Sequence, residues 1–420
     1  MPLNPNMQRG EKMTQEFLNM LYLFGCGALG KEPDASHIKD LRLIREKALS
    51  QEIWDVVYCA ARKKILSGEA LVPSEIKEKL EAVFSANVAA NIRKIGFNLN
   101  TVRKLNENKI ECCTLKGATV ARLYAEPDAR ISSDTDILID EKDEEKTIQL
   151  LKELGYEVEE RAKYDHHRKA RHKIGGLLEV HVSLHSKTTS DIILNDEIHY
   201  DEPFIKNEDS TVTLGIYDGL IYLSAHLIKH LINDAAGIRQ MMDLLLYMKH
   251  YEKEIDWEKY NSLMKELRYD KLINIVKGIG VKYWGMEFLN ADTDEDSINA
   301  LLEDCEIGGA FAGNEERGYF YDLYTKKRSQ KGKVAFAFYN LFSKERSVIN
   351  ILFPKIRHMK KMFPYVKKHP WLVVIAWPHR IIKKAFKMSV NEEGIDINEK
   401  QSLIIKRRMD LMKKLEMIDR

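Results

Sequence analysis

The constraint that narrows the fold most is a change of period along the chain. Apolar residues recur at helical spacing before about residue 105, as in Phe17, Met20, Leu21 and Phe24, and again in Trp54, Val57, Tyr58 and Ala61. Between 106 and about 205 the pattern switches to short β-leaning runs separated by breakers. Ile110–Leu115 ends at Lys116-Gly117, and a short helical stretch, Ala118–Tyr124, follows. Pro127 then breaks the chain, and Asp134-Thr135-Asp136 leads into the strand Ile137–Ile139. A helix is expected over Lys142–Leu154, with Ile148, Leu151 and Leu154 on one face and Gly155 as its stop. Strands are expected again at Tyr156–Val158 and Leu177–Val182. Upstream, Pro73-Ser74 opens a long helix with Ser74 placed to cap it. Helical spacing returns in Leu220–Ile232 and Ile238–Tyr251.

A sheet face or a helix stripe must be buried against another layer. This pattern therefore predicts an α+β chain, with a small mixed β-sheet core flanked by helices and with helical N-terminal and C-terminal regions. Four regions are expected: 1–105 helical, 106–205 the α/β core, 206–300 a helical domain, and 301–420 a basic, aromatic-rich helical region. Gly25-Cys26-Gly27-Ala28-Leu29-Gly30 matches G-x-G-x-x-G, yet a helical pattern precedes it where a dinucleotide site needs a strand. It reads as a glycine-rich helix end.

The 420 residues allow two or three domains with a sizeable core. Five cysteines, odd in number and without C-x-x-C, build neither a disulfide framework nor a zinc site, and point to a reducing compartment, the cytoplasm. The opening residues lack an apolar run of signal-peptide length, and Trp371–Trp377 is far short of the roughly 20 residues a bilayer requires. The net charge of +2 conceals a segregation. Residues 326–387 carry seventeen Lys or Arg and one acid, Glu345, so that stretch is +16 and the remainder −14. With Phe336, Phe338, Phe342, Phe353, Phe363, Trp371 and Trp377 in or beside it, it is suited to an anionic surface, an RNA or an acidic acceptor, or to a helical cap that solvates its lysines.

The chemistry concentrates at Arg130-Ile-Ser-Ser133-Asp134-Thr-Asp136. Residues two apart on a strand share a face, so Asp134 and Asp136 would stand side by side at the strand's beginning. Two such carboxylates repel unless a cation lies between them, and oxygen-only ligands suit Mg²⁺. Glu179, charged among apolar neighbours in Leu177-Leu178-Glu179-Val180, is the candidate third carboxylate. Lys116 and Gly117 sit at a strand-to-helix turn, where a glycine lets phosphate approach the backbone.

These residues, with Tyr124, Pro127, Leu154-Gly155-Tyr156, Glu179-Val-His181, His226, His230, Arg239 and Asp243, resemble an uncharacterised bacterial nucleotidyltransferase family of the DNA polymerase β-like superfamily. The resemblance spans roughly 80–250. It implies a mixed sheet flanked by helices, Mg²⁺ (or Mn²⁺), and transfer of a nucleoside monophosphate from an NTP, with ATP the expected one, to an acceptor hydroxyl. The acceptor is a small molecule, a protein or an RNA. Asp134 and Asp136 would bind the ion or ions on the triphosphate. Glu179 would hold a second ion and orient or deprotonate the acceptor, and Lys116, Gly117 and Ser133 would contact phosphates. Arg130 would either stabilise transition-state charge or fix the strand. Where most of the superfamily has Gly-Ser, this chain has Lys116-Gly117-Ala118.

Other residues have plainer expectations. His226 and His230 make polar or phosphate contacts, and Arg239 pairs with Asp243 four residues on. His181 and His185 share a face with Glu179, with a place near the metal the lesser of their two readings. His166-His167 is exposed loop, and Cys112-Cys113 is core strand. Two other classes compete: a catalytically weak relative acting as a binding or antitoxin module, and a nucleic-acid or membrane-surface adaptor built on 326–387.

Overall fold

The computed structural model describes residues 13–161, 166–185, 200, 203–206, 212–233, 237–288, 290–308 and 399–418, with the single positions 369, 372, 373 and 376. The chain divides into two compact units, residues 1–321 with 411–420, and residues 322–410. The helices and the sheet considered below belong to the first. Apart from four isolated positions, the basic stretch 326–387 lies outside the described residues.

Helices α1 (Gln15–Leu29), α2 (Leu41–Ser50) and α3 (Trp54–Ser67) form an N-terminal cluster. The Thr14 hydroxyl caps α1 by accepting from Phe17 N–H. The glycine motif serves packing here. A Cβ on Gly25 would come within 2.3 Å of the Trp284 ring, and one on Gly27 within 2.2 Å of the Val56 carbonyl. Gly30 closes the helix in the left-handed conformation at φ 67°.

Helix α4 (Ser74–Glu107) begins one residue earlier than its capping pattern predicts. Ser74 is its first residue, and Pro73 takes the cap position without a side-chain bond. The Pro73 carbonyl accepts from Ile76 and Lys77, both at 3.0 Å, and starts the first turn by itself.

Five strands follow: β1 (Cys112–Leu115), β2 (Asp134–Ile139), β3 (Glu157–Val158), β4 (His167–His172) and β5 (Gly176–His181). They form one mixed sheet of order β1-β2-β5-β4-β3, in which only β2 and β5 run parallel. Helix α5 (Gly117–Ala121) follows β1, and α6 (Glu144–Glu153) follows β2. β2 lies between β1 and β5 and is covered on both sides, which is why its sequence is the continuous run Ile137-Leu138-Ile139. Alternate residues sort to two faces. Cys112, Ile137, Ile139, Leu178, Val180 and Ala170 pack on Val102 and Leu105 of α4 and Leu151 of α6. Cys113, Leu115 and Leu138 face the other way, toward Leu184 and Tyr222. Both cysteines are fully buried, as expected of a core strand, and all five cysteines are free.

A two-stranded ribbon, β6 (Ile205–Lys206) and β7 (Val212–Thr213), lies beside β1. Helices α7 (Ile216–Asn233) and α8 (Ile238–His250) pack against each other on the second face, and α9 (Trp257–Glu266), α10 (Asp270–Trp284) and α11 (Glu295–Gly308) follow. The described residues near the C-terminus rejoin this unit, where Leu411, Met412, Leu415, Met417 and Ile418 are buried. The result is an α+β fold, a five-stranded mixed sheet among helices, and none of its described helices is long and apolar enough to cross a membrane.

Candidate active site

The loop entering β2 is held from both sides before any site residue is reached. One stripe of α4 grips it: Asn91 donates to the Asp128 carbonyl at 3.0 Å, Lys94 donates to the Ser132 carbonyl, and Asn98 donates to Thr135 Oγ1 at 2.8 Å. Their spacing places them on one helix face. Asn98 also donates to the Gly175 carbonyl at 2.9 Å and accepts from Tyr156 Oη at 2.9 Å. A Cβ at position 175 would come within 2.5 Å of the Asn98 amide, so this approach requires glycine.

From the other side α8 supplies Asp243 and Arg239. Asp243 accepts from Arg130 Nε at 3.0 Å and Nη2 at 2.5 Å, and from Tyr124 Oη at 2.8 Å. Arg239 donates to the Ile131 carbonyl at 3.1 Å and pairs with Glu52 at 3.1 Å. The expected Arg239–Asp243 pair is thus replaced by two longer-range pairs. Both side chains point from α8 to the 130–132 loop, and the closest partners there are Arg130 and a backbone carbonyl. Burial would lower the Arg130 guanidinium, but Asp243 and Tyr124 hold it above its ordinary value.

Held this way, β2 presents Asp134 and Asp136 on the second face. In the parallel register Asp136 stands opposite Glu179. Carboxylate oxygens of Asp136 and Glu179 and a ring nitrogen of His181 all lie within 4.8 Å of one another. Lys116 Nζ is 3.2 Å from Asp136 Oδ2, and His181 Nε2 is 2.9 Å from Asp136 Oδ1. Burial would raise the Asp136 carboxyl, yet Lys116 and His181 overcome it and keep the group far below the usual carboxylate range. Lys116 is likewise opposed by burial, and the charges of Asp136 and Asp134 raise it in spite of that. Glu179 goes the other way. Burial, then the negative charges of Asp136 and Asp134, push its carboxyl up. Its nearest cationic or imidazole partners are distant, with His167 at 3.7 Å, Lys169 at 3.9 Å and His181 at 4.0 Å. Arg168 and Arg171 pair instead with Glu144 and Glu159.

Lys116 itself is strained, at φ 28° and ψ −121° in the turn between β1 and α5, a conformation a non-glycine residue adopts only when its surroundings enforce it. A Cβ on the neighbouring Gly117 would meet nothing within 4 Å, so this backbone is open. Asp134 accepts from Ser132 Oγ at 3.0 Å, and Ser133 is exposed at the same loop. Of the residues singled out in the sequence, Lys116, Asp136 and Glu179 converge, and Asp134 stands on the same strand face two residues before Asp136. Arg130 lies apart from them, engaged with Asp243.

A small cavity of about 40 Å³, partly open to solvent, adjoins Lys116 and Glu179. Its remaining wall is largely imidazole, and α7 contributes Tyr222, His226 and Lys229 from one face. His185 lies between the Tyr200 and Tyr222 rings and is bonded to Tyr200. Burial pushes His185 down to about 3 and His166 down to about 2, and holds His226 well below its ordinary value, with Lys116 adding to it. His226 packs edge-on against His230 at 4.4 Å. His166 and His167, expected in exposed loop, are partly buried in this wall; the antiparallel pairing of β4 with β5 brings His167 opposite His181. The β4 pairing register carries that placement, and spacing along the chain does not reveal it. Tyr222 and Lys229 stand seven apart on a helix, a signal that is present in the sequence but shared with any buried stripe.

A family model of uncharacterised nucleotidyltransferases matches residues 42–276, more than half the chain. This chain belongs to that nucleotidyltransferase family. The match contains the whole sheet, the acidic cluster and both α7 and α8, so every side chain of the site lies within the nucleotidyltransferase region. It supports nucleotidyl transfer as the general function and a nucleotide as substrate. Neither the curated proteins nor the solved structures contain a match.

Proposed function

We propose that the chain transfers a nucleoside monophosphate from an NTP, ATP being the leading candidate, to an acceptor hydroxyl with release of pyrophosphate, in the manner of the DNA polymerase β-like superfamily. The observation that carries this reading is the charge imbalance at the acidic cluster. Asp136 and Glu179 lie within reach of one another beside Lys116, Asp134 stands on the same strand face, and burial followed by the charges of Asp136 and Asp134 favours protonation of Glu179. Carboxylates gathered in this way fit a hard divalent cation better than they fit an empty site. Asp134, Asp136 and Glu179 would hold Mg²⁺ or Mn²⁺, which when bound neutralises charge on the triphosphate and on the departing pyrophosphate.

The chain's own groups have the remaining tasks. Lys116 and the open Gly117 backbone offer fixed positive charge and an amide to the phosphates, with exposed Ser133 beside them. Glu179 faces the cavity and would orient the acceptor hydroxyl and receive its proton. His181 holds Asp136 in place through its Nε2. Arg130 acts by fixing the loop rather than by touching the nucleotide, since its guanidinium is committed to Asp243. The acceptor is then whatever presents a hydroxyl to the imidazole-lined cavity.

Pyrophosphate release from mixed NTPs with Mg²⁺ tests this directly. Wild-type protein supplied with cell extract as the acceptor source should release pyrophosphate, and the Asp134→Asn, Asp136→Asn double variant should not. Equal release by the two proteins would place the chemistry elsewhere.

A further inference from the structure

Three imidazoles meet beside the carboxylates, and the nucleotide chemistry above leaves the cluster unused as a unit. His167 opens β4 directly opposite His181 at the end of β5. His166, one residue earlier, accepts from Val182 N–H at 3.0 Å through its carbonyl, and its ring lies against both of the others. Ring centroids are separated by 4.8 Å (His166–His167), 5.1 Å (His166–His181) and 5.2 Å (His167–His181), close to an equilateral triangle. One ring nitrogen of each lies within 4.8 Å of the other two. An imidazole nitrogen on Zn²⁺ sits about 2.0–2.1 Å from the ion, which puts each ring centre about 3.2 Å away and tetrahedral neighbours about 5.2 Å apart. The observed triangle has that size.

His181 adds an independent observation. Its Nε2 is bonded to Asp136, while its Nδ1 has no hydrogen-bond partner among the described residues although the residue is only 4% exposed. A carboxylate on one imidazole nitrogen, fixing the tautomer and leaving the other for an ion, is the usual setting of a metal-binding histidine. We propose that His166, His167 and His181 form a site for one borderline first-row cation of the Zn²⁺ class, with a fourth position open to the cavity for a water, hydroxyl or phosphate oxygen.

Charge around the cluster is mixed. Glu179 lies 3.7 Å from His167 Nε2, and Asp136 is bonded to His181, so two carboxylates are within reach; Lys229 on the cavity wall and Lys116 oppose them. The two donor sets select differently, oxygen for Mg²⁺ and imidazole nitrogen for Zn²⁺ and Co²⁺. This site stands apart from the Mg²⁺ reading and can fail without it.

The test uses tag-free, chelator-treated full-length protein titrated with Co²⁺ alone. One Co²⁺ per chain is expected, with the intense visible bands of four-coordinate cobalt, retained in excess Mg²⁺ and displaced by Zn²⁺. His166→Gln and His167→Gln should each weaken uptake at least about tenfold, and Asp134→Asn should leave it in place. X-ray absorption at the zinc edge on the wild type should show scattering from three imidazoles, a result that requires no variant to fold. Absence of stoichiometric uptake by the wild type, an oxygen-only coordination shell, or uptake unchanged in the His166→Gln, His167→Gln double variant would overturn the proposal.

Discussion

Two clusters of buried charge lie on either side of the loop that enters β2, and they are built differently. At one, Arg130 meets Asp243 with Tyr124 donating to the same carboxylate, one positive charge against one negative, with Arg130 and Asp243 each nearly shut off from solvent. At the other, Lys116 faces Asp136, Asp134 and Glu179, and a cavity opens beside it. The first cluster needs nothing more to be electrically balanced. The second has more carboxylate than ammonium beside it, and burial followed by the charges of Asp136 and Asp134 raises the Glu179 carboxyl. Balance marks a group that holds the fold, and imbalance against an opening marks a place prepared for a ligand.

The largest effect should come from breaking the balanced pair. Asp243→Ala leaves a buried guanidinium without its carboxylate and should destabilise the chain by about 3–5 kcal/mol, read by thermal or urea denaturation. A cost no greater than that of Asp134→Asn would remove the distinction between the clusters. Next comes Glu179→Gln. Its nucleotide binding should persist, while transfer to the acceptor falls by about two orders of magnitude, the scale of losing a general base. Near-normal turnover per folded molecule would strip Glu179 of its role and leave it a partner of His167 and Lys169.

A smaller effect separates the clusters by pH. Because the folded state raises the Glu179 carboxyl, it holds a proton that the unfolded chain has already released. Without divalent cation, stability should therefore fall as pH rises from the ordinary glutamate value through the raised one, and Glu179→Gln should flatten that fall. A denaturation series across this range reads the slope. An identical slope in both proteins would mean that the carboxyl is not strained by its neighbours.

Much of the unbalanced cluster was legible in the sequence because it depends on period alone. Two aspartates at a spacing of two before an apolar run, and one glutamate inside another such run, sort to one sheet face as soon as the strands are recognised, and the β2–β5 register then sets Asp136 beside Glu179. The balanced cluster was not legible. Arg239 and Asp243 are four apart on one helix and look like partners, yet each finds a better one across more than a hundred residues. Nor could the histidine wall be read. His166-His167 resembles an exposed polar pair until β4 pairs with β5, and only that antiparallel register turns it inward. The grip of Asn91, Lys94 and Asn98 on the β2 loop is equally hidden, since polar residues on a long helix ordinarily face water.

In the proposed function, the carboxylates of Asp134, Asp136 and Glu179 are met by a divalent cation. Thermal stability titrated with Mg²⁺ or Mn²⁺ measures this most directly. Wild-type protein should gain stability as the ion is added, and the Asp134→Asn, Asp136→Asn double variant should stay folded but lose that response. A double variant that responds to the ion as fully as the wild type would contradict the claim.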